Sequence, residues 1–184
     1  MTSSKCHTLI LGGAKSGKSA YALELALKGI APREKNPCAL FIATAAAQDQ
    51  EMQRRIEAHK KERGPEWHTI EEEIEIANIL KNELGAYEVA VVDCLTMWVS
   101  NLLINAPDKL ETEIERLVDT LHTATRPVVL VSSEVGMGIV PDNRLARRFT
   151  DTLGLVNQKI AFVASRVILM AAGIPMVLKD ELTK

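Results

Sequence analysis

The stretch Gly12-Gly13-Ala14-Lys15-Ser16-Gly17-Lys18-Ser19 combines small side chains with lysines and hydroxyls, the residue types that together can cradle a phosphate. Its spacing fits G-x-x-x-x-G-K-[ST], the P-loop pattern. Small residues let the backbone wrap the phosphate with successive N–H groups pointing inward, and the N-terminus of a following helix adds positive potential. Lys18 is the type that reaches the β- and γ-phosphates, and Ser19 the hydroxyl that binds Mg²⁺. The chemistry implied is binding and transfer of phosphoryl groups from a nucleoside triphosphate.

Such a loop must join a buried strand to a helix. Thr8 to Leu11 reads as that strand, and Ala20 to Lys28 (AYALELALK) has the helical pattern. Further short apolar runs, Ala39 to Ala43, Val89 to Val92 and Val128 to Ser132, alternate with helical segments. This alternation predicts an α/β fold, a P-loop NTPase of the RecA-like kind with a mostly parallel sheet flanked by helices on both faces. Val167 to Met170, a turn at Ala172-Gly173-Ile174-Pro175 and Met176 to Lys179 are expected to close the sheet edge at the C-terminus. Between Lys109 and Ala124, Leu110, Ile114, Leu117, Val118 and Leu121 recur at helical spacing, and Arg126-Pro127 ends that segment. Asn143 to Ala164 reads as one long helix, or two with a break near Gly154.

A P-loop also needs an acid at the end of a neighbouring buried strand to hold the metal. Asp93, ending Val89-Ala90-Val91-Val92, has that position, although a strand-end aspartate can equally cap the next segment. Trp98 is expected to pack, and His7, His68 and His122 carry no readable role.

The bulk properties narrow the class. A chain of 184 residues with 47% hydrophobic and 25% charged residues and a net charge of -2 suits one globular domain, residues 1–184, nucleotide-binding and catalytic. Cys6, Cys38 and Cys94 are far apart and odd in number, so neither a disulfide framework nor a zinc site is indicated. No signal peptide or long apolar span is present, and a cytoplasmic location with no membrane span is expected. The near-neutral charge balance argues against nucleic acid as a partner and for a small-molecule substrate.

From Ala43 to Arg63 the sequence leaves a strand end and becomes a strongly charged helical pattern. Arg55, His59 and Arg63, each four residues apart, would line one face. Flanking guanidiniums disfavour a protonated imidazole, which leaves His59 a neutral nitrogen able to act as a nucleophile, and they attract a triphosphate. The plainer reading is a solvated amphipathic helix with Met52 and Ile56 turned inward.

Taken together, the P-loop, Arg55-Ile56-x-x-His59-Lys60-x-x-Arg63, Trp67-x-Thr69-x-Glu71-Glu72, Val92-Asp93-Cys94-Leu95-Thr96-x-Trp98-x-Ser100-Asn101 and Glu134-Val135-Gly136-x-Gly138-Ile139-Val140-Pro141 resemble one family. It is the bifunctional adenosylcobinamide kinase/adenosylcobinamide-phosphate guanylyltransferase family of cobalamin biosynthesis. The likeness runs from Leu9 to about Lys179 and includes Arg144-Leu145-Ala146-Arg147-Arg148-Phe149 and Asn157-Gln158. It implies ATP or GTP as substrates with Mg²⁺, adenosylcobinamide and its phosphate as corrinoid partners, and a homotrimer. It implies that His59 attacks the α-phosphate of GTP and carries GMP as a covalent phosphoramidate. Nucleotide contacts are implied at Gly12, Gly13, Ala14, Lys15, Ser16, Gly17, Lys18 and Ser19, at Ala43, Thr44 and Ala45, at Lys60, Lys61, Glu62 and Arg63, and at Glu71 and Asp93. Catalytic roles fall to His59 and Lys18, and metal roles to Ser19 and Asp93. Lys60 and Arg63 can offset charge on the transferring phosphate, while Glu71 and Asp93 can position metal or ribose.

Some positions depart from that family's pattern: Lys15 stands where arginine is frequent, Glu73 where proline often follows the two glutamates, Ser133 where asparagine often precedes Glu-Val-Gly, and Gly64-Pro65 replaces an immediate Arg-Pro. Lys15 keeps the charge without the guanidinium fork. Two other functions fit the P-loop alone: a kinase of another small alcohol, and a nucleotide-dependent switch. No N-K-x-D tetrapeptide, which would read guanine in a GTPase switch, is present. The glycine-containing loop from Glu134 to Pro141 follows a strand end and is expected near the substrate, or else serves only as a turn.

Overall fold

The computed structural model describes residues 6–30, 37–45 and 64–182. Seven strands form one sheet: β1 Thr8–Gly12, β2 Ala39–Ala43, β3 Trp67–Glu71, β4 Val89–Asp93, β5 Val128–Val131, β6 Arg166–Ala171 and β7 Ile174–Asp180. Their spatial order is β3-β2-β4-β5-β1-β6-β7, with every pair parallel except β6 and β7. The described helices are α1 Lys18–Leu27, α2 Ile76–Glu83, α3 Leu95–Asn105, α4 Leu110–Thr123 and α5 Arg144–Val163. No described helix is long and apolar enough to cross a membrane.

The continuous apolar strand sequences follow from burial on both faces. Successive side chains in a strand point to opposite faces. Leu9, Leu40, Ile42, Ala90, Val92, Val128 and Leu130 accordingly join one core with Trp98, Leu117, Val156 and other residues of α2 to α5. Ile10, Ala39, Phe41, Val89, Val91, Val129 and Val131 join a second core with Ala22 and Ala26 of α1.

Four sequence expectations are refined. Trp67–Glu71 is a strand, β3, whereas the sequence showed it only as a motif. The edge turn shrinks to Ala172 and Gly173, with φ of 51° and 81°, and Ile174 and Pro175 belong to β7. A two-residue hairpin with both central residues at positive φ matches the twist of the flanking strands. The long segment after Asn143 is one helix, uninterrupted at Gly154, with the Asn143 side chain accepting the N–H groups of Leu145 and Ala146. Finally, the strand bearing Asp93 does not adjoin the P-loop strand, because β5 lies between β4 and β1.

Two buried residues show how the framework is pinned. Trp98 is fully buried and its Nε1–H donates to the Ile74 carbonyl at 2.7 Å, so it packs as expected. His7 accepts the Val128 N–H at Nδ1 (3.2 Å) while Nε2 donates to the Leu121 carbonyl (2.9 Å), which defines a neutral structural imidazole.

Candidate active site

The C-terminal ends of the parallel strands hold the candidate residues. In this class of sheet, ligands bind there. Gly12 ends β1 with φ of 150°, and a Cβ at this position would come within 2.4 Å of the Met170 carbonyl oxygen, so only glycine fits. The loop then turns through Lys15 (φ 53°) and Gly17 (φ 91°) into α1, which begins at Lys18. The helix N-terminus therefore points its free N–H groups at the loop. Ser16 is buried, and its hydroxyl has no hydrogen-bond partner among the described residues. A buried orphan hydroxyl inside a ring of backbone N–H groups fits an anion such as a phosphate.

Lys18 Nζ donates to the Gly12 carbonyl at 2.9 Å and to the Gly13 carbonyl at 2.6 Å. An ammonium has three hydrogens to donate, so these contacts hold it over the loop and leave capacity for a phosphate oxygen. Burial holds its pKa below the usual lysine value, and the charges of Cys94 and Asp93 pull the other way. Lys18 thus feels the Asp93 charge although β5 lies between β4 and the P-loop strand.

Register explains why. Ala43 pairs with both Glu71 and Asp93, and Asp93 with Val131, so these residues form one row across β3, β2, β4 and β5. By the alternation of the pleat, Asp93 shares the face of Val89 and Val91, and Glu71 the face opposite Ile70, which is the α1 face in both cases. With neighbouring strands about 4.8 Å apart, Asp93 lies roughly 10 Å along the sheet from the P-loop strand and Glu71 roughly 19 Å. Asp93 is therefore nearer the P-loop strand, and Glu71 is farther out, toward the β3 edge. Among the described residues no group of three or more His, Cys, Asp or Glu side chains could hold a metal. Ser19 in the first turn of α1 and Asp93 are the donors that fit a Mg²⁺ bound mainly through phosphate and water oxygens.

The loop from Glu134 starts at this site. The Glu134 N–H donates to the Gly12 carbonyl at 3.2 Å, and its Oε1 accepts the Gly136 N–H at 2.8 Å. Beyond it Met137 and Ile139 are 81% and 97% exposed, and Arg147 holds the loop's end by donating to the Pro141 and Asp142 carbonyls. Glu72 accepts the N–H groups of Ile74 and Glu75 and so caps the approach to α2. A cavity of about 800 Å³ opens at the other end of the strands against Thr8, Val89, Arg126 and Arg166 and shares no residue with the P-loop.

Sequence reasoning missed the roles of Thr44 and Asn101 as a pair. Thr44 is fully buried, its hydroxyl donates to the Cys94 carbonyl and accepts the Cys94 N–H, both at 2.7 Å, and Asn101 Nδ2 donates to the Thr44 carbonyl at 2.8 Å. An asparagine between the apolar runs of α3, at a position that proves to be buried, was the available signal. His59, Lys60, Lys61, Glu62 and Arg63 lie outside the described residues.

Burial and then the Asp93 charge push the Cys94 thiol up to about 11 from 9.0. A neutral thiol favoured by folding stabilises the chain fully below the unfolded value. That contribution is lost as pH rises from 9 to about 11. Urea unfolding across this window should show a loss on the order of 3 kcal/mol in the wild type that is missing in Cys94→Ala. Equal alkaline losses in both proteins would contradict the placement of the thiol.

Comparison with known proteins shows the family of the chain. The family described as CobU, cobinamide kinase / cobinamide phosphate guanyltransferase, matches residues 8–178. The bifunctional adenosylcobalamin biosynthesis protein CobP of Pseudomonas aeruginosa is 43% identical over 174 residues, covering 94% of this chain and 97% of its own length. The bifunctional adenosylcobalamin biosynthesis protein CobU of Escherichia coli is 37% identical over 185 residues, with 93% and 98% covered. The counterpart of Salmonella typhimurium is 38% identical with the same coverage. In fold, the chain is similar to the KaiC-like protein PH0186 of Pyrococcus horikoshii, with a TM-score of 0.55 at 16% identity over 97% of this chain and 81% of that one. With its P-loop, its strand-end aspartate and a match across nearly its whole length, the chain belongs to the cobinamide kinase / cobinamide phosphate guanyltransferase family.

Proposed function

We propose that this chain, acting as one catalytic domain, phosphorylates adenosylcobinamide with ATP or GTP and then transfers GMP from GTP to give adenosylcobinamide-GDP. The observation that carries this reading is the P-loop that launches α1 at Lys18, with Asp93 at the end of β4, in a chain that matches the bifunctional family over residues 8–178. In the first step the hydroxyl of the aminopropanol arm attacks the γ-phosphorus. The bond to the β,γ-bridging oxygen breaks, the nucleoside diphosphate leaves and the hydroxyl proton passes to solvent. The P-loop N–H groups and Lys18 stabilise the charge that spreads over the transferring oxygens. Ser19 and Asp93 are the residues that would hold Mg²⁺, which when bound neutralises phosphate charge.

In the second step His59 attacks the α-phosphorus of GTP, pyrophosphate leaves, and a phosphoramidate forms. An oxygen of adenosylcobinamide phosphate then attacks the same phosphorus and frees His59. Lys60, Lys61, Glu62 and Arg63 are proposed nucleotide contacts beside it. Glu71, farther along the sheet toward the β3 edge, is a further proposed nucleotide contact. A homotrimer in the cytoplasm completes the proposal. Its support in the fold is β7, an edge strand on which Ile174, Met176, Val177 and Leu178 are each half or more exposed.

Pure protein incubated with adenosylcobinamide, Mg²⁺ and ATP should yield adenosylcobinamide phosphate by mass spectrometry. Adding GTP should convert it to adenosylcobinamide-GDP. Absence of the phosphate with active corrinoid substrate present would sink the kinase half of the proposal.

A further inference from the structure

We propose that Thr44 is a positioning residue for Asp93, with Asn101 holding Thr44 in that role. Every polar group of Thr44 has a protein partner. Its N–H donates to the Asp93 carbonyl at 3.1 Å, its hydroxyl exchanges two bonds with Cys94, and its carbonyl accepts from Asn101. The residue is fully buried as well, so these bonds are made out of solvent.

What the knot does follows from where the strand ends. Ladder pairing with Ala43 fixes the Asp93 backbone only up to the last residue of β4. The peptide that leaves the sheet there joins Asp93 to Cys94, and Thr44 contacts both of its residues. Asn101 is 1% exposed and lies on α3, the helix that begins just after Cys94. Its Nδ2 also donates to the Glu73 carbonyl at 3.3 Å, so one side chain ties together the ends of β2 and β3 and the helix launched by β4. A carboxylate that must meet a metal within a few tenths of an ångström needs such support.

The inference rests on the proposed metal role of Asp93, and the test separates the two. Calorimetry measures binding of a β,γ-imido GTP analogue to the full chain with Mg²⁺ and with EDTA. Thr44→Val removes the hydroxyl at nearly constant volume, Thr44→Ser keeps it, and Asp93→Asn reports the metal site itself. The magnesium-dependent gain in affinity should fall about tenfold in Thr44→Val, the affinity in EDTA should stay within about twofold, and Thr44→Ser should behave as wild type. Equal loss in both media would make Thr44 a direct ligand, and an unchanged magnesium gain would make it merely structural. Either result overturns the inference. If Asp93→Asn keeps the wild-type gain, the metal reading itself fails and the inference with it. Should Thr44→Val not purify folded, Asn101→Ala poses the same question, because it removes a bond to Thr44 and none to Asp93.

Discussion

Lys18→Ala is expected to lower kcat for adenosylcobinamide phosphorylation by about two to three orders of magnitude, the usual consequence of deleting one preorganised charge-stabilising donor. The effect should be catalytic and not a loss of fold. The Gly12 carbonyl keeps the Glu134 N–H as a partner and the Gly13 carbonyl keeps the Ser16 N–H at 3.4 Å, so neither acceptor is orphaned when the ammonium goes. Removing a partly desolvated cation also removes a group whose burial is unfavourable to its charge. Steady-state kinetics and thermal melts of the same samples check both halves. A melt lowered as severely as the rate would contradict the assignment of Lys18 to the reacting phosphate.

The second large effect is selective. His59→Ala should reduce guanylyl transfer at least ~10⁴-fold, because a covalent route through one nucleophile has no substitute when that nucleophile is gone. Phosphorylation at the P-loop should continue, so adenosylcobinamide phosphate should accumulate when the variant is given both ATP and GTP. Chromatography of the corrinoid products reads this directly. Loss of both products together would point to a shared structural defect, and retention of both would return His59 to a solvated helix face.

Much of the site was legible because its chemistry is local in sequence. The P-loop from Gly12 to Ser19 and the strand-end position of Asp93 each depend on a few adjacent residues, and both lie at the strand ends as the pattern implied. Whole-chain resemblance supplied the substrate class, which no periodicity could give. Illegible from the sequence were features set by the sheet. Strand order is decided by packing among distant segments, so the insertion of β5 between β4 and β1 left no local trace. Trp67 to Glu71 is short and shows no clean alternation, with one buried residue at its start and a charged one at its end, so nothing local marked it as a strand. Thr44 and Asn101 are 57 residues apart, and only the fold shows that one holds the other. In reverse, the pleat explains a sequence observation: Glu71, Ala43 and Asp93, far apart in the chain, fall in one row on the face covered by α1.

The central claim is that one chain carries a nucleotide both as a phosphoryl donor at its P-loop and as a covalent guanylyl group. The most direct measurement is incubation of the wild type and His59→Ala with Mg²⁺ and GTP labelled on the α-phosphate, followed by denaturation and by acid and alkali treatment. The account predicts label on the wild type that is acid-labile and alkali-stable, as a phosphoramidate is, and none on the variant. An unlabelled wild type that still phosphorylates adenosylcobinamide would contradict it and leave the chain a kinase alone.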